Sequence, residues 1–121
     1  MEHFTSRVPF QELDNSSHKL KAIAHAVRIA ILGLLLEHKV LTVYEIQEKL
    51  NIEQTATSYH LIQMKNKMVV KSEKKANKMF YSVSDQSFRQ ILEIILDYPV
   101  NSTFPLTNPE ASSEQSLTTD P

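Results

Sequence analysis

Apolar residues change their spacing twice along this chain, and that pattern limits the fold more than any other feature. Up to Met64 they recur at helical intervals, with Leu20, Ile23 and Ala24, then Val43, Ile46 and Leu50, then Thr57, Leu61 and Met64 sharing faces. From Met68 to Val83 two stretches read as strands, and beyond Asp85 the helical interval returns. A helix repeats about every 3.6 residues and a strand every 2. The chain is therefore expected to be mainly α-helical with one hairpin.

The expected elements follow from local signals. Asp14, Asn15, Ser16 and Ser17 are N-cap residues, and a first helix is expected from there to about Ala24. A second spans residues 27–37 and is apolar on most sides, as suits the centre of a small core. Gly33 in its interior costs about 1 kcal/mol against alanine, which close helix packing would offset. Thr42 and Glu45 form a capping-box pattern that opens a third helix. After Asn51 and Ile52, a fourth helix runs from Glu53 or Gln54 to about Asn66. Two short helices joined by a tight turn make a helix-turn-helix. Residues 68–73 and 78–83 read as strands linked by Lys74-Lys75-Ala76-Asn77, and Asn77 tolerates the left-handed conformation of hairpin turns. Ser84 or Asp85 is expected to cap a last helix that reaches about Tyr98 and stops at Pro99. In sum, the fold class is mainly α with a small two-stranded antiparallel hairpin: a winged helix-turn-helix of about five helices.

Three regions follow: an arm over residues 1–12, a domain over 13–98 and a tail over 99–121. The tail holds four of the five prolines, eight Ser/Thr and three acids, with no basic residue. Such a composition cannot offset the entropy of folding, so disorder is expected there.

Composition removes several function classes. The 121 residues include no cysteine and one glycine, so disulfides, thiolate metal sites and glycine-rich phosphate loops are out. No nucleophile–base pair or useful carboxylate cluster can be argued, and an enzyme is not expected. The strongly apolar stretch at 29–36 is too short to span a bilayer. The N-terminal residues carry no apolar signal core, and a cytoplasmic location is expected.

The net charge of −1 conceals a strong asymmetry. Residues 1–53 sum to −1. Residues 54–82 carry six lysines against Glu73, net +5, and residues 83–121 carry Arg89 against six acids, net −5. A basic block covers the fourth helix and the hairpin. A polar helix face with lysines is ordinarily a solvated surface. Here it follows a tight turn and precedes a lysine-tipped hairpin, which favours nucleic acid.

Three runs carry a resemblance to a known family: LKAIAHAVRIAIL at 20–32, LTVYEI at 41–46 and LNIEQTATSYHL at 50–61, with Phe80-Tyr81-Ser82-Val83 closing the hairpin. Their order and spacing, over residues 13–98 without a gap, resemble the ArsR/SmtB family of bacterial repressors. The resemblance implies that Gln54, Thr55, Ser58, Tyr59 and Ile62 on the fourth helix meet base edges in the major groove. Lys65, Lys67, Lys71, Lys74, Lys75 and Lys78 fit phosphate contacts, which supply affinity and salt dependence rather than sequence choice. His60 lies at the edge of the inward face and is expected to pack or cap. The resemblance also implies a homodimer through the first and last helices, with Leu13, Leu20, Phe88, Ile91, Leu92 and Ile95 at the interface; Phe88, Ile91, Leu92 and Ile95 could instead be ordinary core. A twofold dimer would place two recognition helices on successive grooves of a pseudo-palindromic duplex.

Many members of that family release DNA on binding metal, but the ligand positions are missing here. Thr42 and Tyr44 stand where one sensor type has a cysteine pair. The last helix has Asp85, Glu93 and Asp97 but no histidine, and the spacing of His3, His18, His25, His38 and His60 gives no close pair. No metal and no cofactor are expected. Three further departures are Met68 at a helix-ending glycine position, Glu53 as a weak N-cap, and His25-Ala26 in place of Asp-Pro. The functional expectation is a homodimeric, metal-independent DNA-binding transcriptional regulator acting as a repressor by occlusion, with its effector unknown. Two alternatives stand beside it: a winged-helix module that binds protein, and a repressor gated by a small molecule or partner at the dimer interface. The acidic tail could also compete with DNA phosphates for the lysines.

Overall fold

The computed structural model describes residues 7–97. The expected tail at 99–121, the helix stop at Pro99 and the first half of the arm lie outside them. Five helices and three short strands are described: α1 Phe10–Ile23, α2 Ala26–His38, β1 Leu41–Thr42, α3 Val43–Leu50, α4 Gln54–Asn66, β2 Val70–Lys75, β3 Lys78–Val83 and α5 Ser87–Leu96.

Helix α1 begins earlier than expected, at Phe10 rather than at residues 14–17, so part of the arm is helical. Pro9 fixes the entry with φ −59, and its carbonyl accepts from the backbone N–H groups of Glu12 and Leu13 at 3.0 and 3.2 Å. The polar residues read as caps instead pair along the helix: Ser17 Oγ donates to the Asp14 carbonyl at 2.7 Å, and Gln11 Nε2 to Asn15 Oδ1 at 3.1 Å. His25 caps α2, its Nδ1 accepting from Val27 N–H at 3.1 Å. All of residues 31–36 are buried, Gly33 included, which makes α2 the central helix. It ends at Lys39, whose φ of 75 and ψ of −55, with Val40 N–H donating to the His38 carbonyl, form a γ-turn. Such a turn strains a residue with a Cβ by about 1–3 kcal/mol.

The sheet has three strands rather than two, in the order β1-β3-β2 and antiparallel throughout. Leu41 pairs with Tyr81 and Thr42 with Phe80. Two residues are too few to register as a period, and Thr42 serves both as the end of β1 and as the cap of α3. The capping box is complete: Thr42 Oγ1 accepts from Glu45 N–H at 3.2 Å, and Thr42 N–H donates to Glu45 Oε1 at 2.8 Å. That backbone donor holds the Glu45 carboxyl below its ordinary pKa.

The hairpin turns through Ala76 and Asn77 alone, with β2 and β3 extending to Lys75 and Lys78. Both turn residues have positive φ, 49 and 66, as a two-residue type I′ turn requires. Val70, Tyr81 and Val83 face the core with Leu41, packed against α2 and against Leu61 and Met64 of α4. At α5, Asp85 Oδ1 accepts from Ser87 N–H at 2.9 Å, which satisfies one donor of the first turn and lowers the Asp85 pKa.

Candidate nucleic-acid interface

Helix α4 is held from beneath and from one side. Thr57, Leu61 and Met64 are fully buried, and Thr57 Oγ1 donates to the Glu53 carbonyl at 2.8 Å. That bond lets a hydroxyl enter the core without leaving its donor unpaired. Asn51 ends α3 in the left-handed conformation at φ 57, and Glu53 then leads into α4 on extended backbone without a side-chain cap. The helix ends in a Schellman motif: Val69 N–H donates to the Met64 carbonyl and Met68 N–H to that of Lys65, both at 2.9 Å, with Met68 at φ 62. Left-handed backbone at the glycine position is thus retained with methionine in it.

Each sequence-predicted residue can be placed. Gln54, Thr55, Tyr59, Ile62 and Lys65 are exposed on α4, and Ser58 is half-buried. Lys71, Lys74, Lys75 and Lys78 are exposed on the hairpin. Strand alternation divides them: Lys71, Lys75 and Lys78 lie on the outer face of the sheet, and Lys74 is in register with Met79 on the other. Lys75 Nζ lies 3.9 Å from Glu73 Oε1, an exposed pair of little energetic weight.

Arg28 of α2, which the sequence did not single out, reaches across to both α1 and α4. Its Nε donates to His60 Nδ1 at 3.0 Å and its Nη1 to the Ala22 carbonyl at 3.0 Å, while its guanidinium lies 5.9 Å from the Tyr59 ring centre. One side chain thereby ties the end of α1 to the middle of α4. The available signal was a cation at the head of an otherwise apolar helix, which must find partners as it is covered. His60 receives that hydrogen bond and stacks at a tilt on His25, ring centres 4.5 Å apart. Partial burial, then the neighbouring His25 and Arg28, lower its pKa. Sequence spacing gave no hint of this histidine pair. Both Nδ1 atoms already accept hydrogen bonds, and among the described residues no group of three metal-ligating side chains exists.

The predicted dimer residues separate into two sets. Phe88 and Leu92 are buried in the protomer's own core, and Leu13 and Ile91 are partly buried. Leu20 and Ile95 are 53% and 56% exposed, and they are joined by Phe10 at 81% and Ile94 at 79%, neither of which the sequence reading named. Among the described residues no helix is long and apolar enough to cross a membrane.

Comparison with known proteins converges on one family. The model for bacterial regulatory proteins of the arsR family matches residues 25–72, from the α2 cap into β2. The transcriptional repressor PagR of Bacillus anthracis is 28% identical over 89 residues, 74% of this chain and 89% of PagR. Its crystal structure has a TM-score of 0.67 at 29% identity and covers 72% of this chain and 99% of that one. The transcriptional activator HlyU of Vibrio cholerae serotype O1 is 33% identical over 89 residues, 70% of this chain and 82% of HlyU. A HlyU structure has a TM-score of 0.64 at 29% identity, with 71% of this chain and 92% of that one covered. NolR of Sinorhizobium fredii has a TM-score of 0.62 at 25% identity, covering 80% of this chain and 95% of NolR.

Proposed function

Because the chain belongs to the arsR family of bacterial regulatory proteins, we propose that it works as a homodimeric repressor that reads a pseudo-palindromic duplex. It is a winged helix-turn-helix transcriptional regulator that lacks the family's cysteine and histidine metal ligands, and its relatives are regulators rather than enzymes. The observation that carries the finer reading is helix α4. Its buried face and the Arg28–His60 bond hold it, while Gln54, Thr55, Tyr59 and Ile62 are exposed on the outside. An amide and a short hydroxyl near a helix N-terminus suit base edges in a major groove. Lys65 and the hairpin lysines would neutralise phosphates on either side.

The dimer in this reading forms through α1 and α5, where Phe10, Leu20, Ile94 and Ile95 leave apolar surface uncovered. A twofold axis there would space two α4 helices for half-sites about 34–36 Å apart, one turn of duplex. Bound at a promoter, such a dimer occludes polymerase. PagR carries the name of a repressor and HlyU that of an activator, so an in vitro transcription assay on the selected site tests the sign: added protein should lower the transcript.

Selection of bound duplexes followed by footprinting tests recognition itself. Two protected half-sites, one helical turn apart, are the expected result. Replacing Lys74, Lys75 and Lys78 together with alanine should weaken binding to all sequences and reduce the salt slope by about one per lysine. An unchanged slope would exclude the wing from the interface. Failure to select any duplex would favour the protein-binding alternative.

A further inference from the structure

A second concentration of positive charge lies away from α4, in a pocket of about 270 Å³ between the end of α2, the outer face of β2–β3 and the first turns of α5. Lys39, Lys71 and Arg89 line it with Ser82 and Gln86, over a floor that includes Leu36, and no lining residue is acidic. Among the described residues neither lysine takes part in an ion pair. Arg89 is only partly satisfied. Its Nη2 donates to the Leu36 carbonyl at 3.0 Å, whereas its Nη1 is buried and has no hydrogen-bond partner. A buried charged donor without an acceptor is costly, and such groups in folded proteins call for an explanation.

An anion supplies one. Three cations with no carboxylate between them repel one another, and an oxyanion among them converts that repulsion into attraction. A guanidinium with an unpartnered Nη1 donates charge-assisted bonds to phosphate or carboxylate, with lysines as point charges beside it. Ser82 and Gln86 add neutral donors. The backbone of Lys39 is held in its γ-turn at the rim, a strained conformation of the kind that clusters at ligand sites. The volume is at the small end for a ligand pocket, which suits a compact anion. A duplex backbone fits less well, because Nη1 is buried and, of the lining residues, only Lys71 belongs to the duplex face proposed above. We propose that this pocket binds the phosphate or carboxylate group of a small metabolite. Occupied, it would join Lys71 of the hairpin to Arg89 of α5 through one ligand.

The test uses the full chain without DNA, so its outcome is independent of the DNA-binding reading. Inorganic phosphate is titrated at constant ionic strength, with chloride as the control, and followed by amide and arginine side-chain NMR. Expected are saturable shifts of Lys39, Ser82, Gln86 and the Arg89 Nε–H, with a Kd in the millimolar range or tighter. The double variant Lys39→Gln, Lys71→Gln changes two exposed side chains and should keep the fold, seen as unchanged core signals. It should weaken phosphate binding by about tenfold or more. Shifts that do not saturate, that chloride reproduces, or that persist unchanged in the double variant would overturn the proposal. So would pocket signals that move only when duplex DNA is added.

Discussion

Met68 sits at φ 62, where a Cβ crowds the following carbonyl, yet its side chain is 71% exposed and contributes little packing. Met68→Gly should therefore stabilise the protein by about 0.5–1 kcal/mol, read as a higher urea midpoint at unchanged m-value. A lower midpoint would mean that the methionine packs more than its exposure suggests. His60 carries a different kind of information. It accepts from Arg28 through Nδ1, so the neutral ring is the one the fold uses, and its pKa lies below the ordinary 6.5. In the unfolded chain the ring protonates first as pH falls. The His60 share of stability is thus complete above pH 6.5 and is lost as pH falls from there to the lowered native value. His60→Gln keeps an acceptor but cannot titrate. Its unfolding free energy should fall less steeply than the parent's on acidification, and identical slopes would remove His60 from the pH dependence.

At the scale of elements, the α3 cap does two tasks with one residue. Thr42 closes the capping box and pairs with Phe80 across the sheet, so it fixes where β1 ends and α3 starts. Thr42→Ala should cost about 1 kcal/mol by loss of the cap alone. A much larger loss in thermal unfolding would show that strand pairing fails with it. The stripe Thr57, Leu61 and Met64 was readable because helical periodicity reports directly which residues must leave water. The pairing of β1 was not, because a two-residue strand is defined by the hydrogen bonds of its partner. The start of α1 at Phe10 was also hidden. Four candidate caps in a row say where a helix can begin, and Pro9 at the entry decided it.

For the whole molecule, the central question is which apolar residues complete the protomer and which remain for a partner. Phe88 and Leu92 complete the protomer, whereas Leu20 and Ile95 stay exposed on it, where the proposed dimer would cover them. The two groups should respond oppositely to substitution. Leu92→Ala should cost about 2–5 kcal/mol of stability, as a fully buried leucine does. Leu20→Lys with Ile95→Lys should leave the helical content intact and shift the sedimentation profile from dimer to monomer. A dimer that survives both lysines would place the interface elsewhere.

The order of helices, the hairpin, the capping box, the left-handed turn residue Asn77 and the lysine-rich block were all decided by sequence alone. Each is a local matter, in which neighbours along the chain determine the backbone or the periodicity. The third strand, the Arg28–His60 clamp, the stacked histidines and the pocket around Arg89 were decided only by the tertiary structure. Arg28 and His60 are far apart in the sequence, as are Leu36 and Arg89. No local pattern can report such a meeting, because it depends on how the helices pack. Packing also removed Phe88 and Leu92 from the surface, which periodicity could mark as apolar but could not assign to one interface or another.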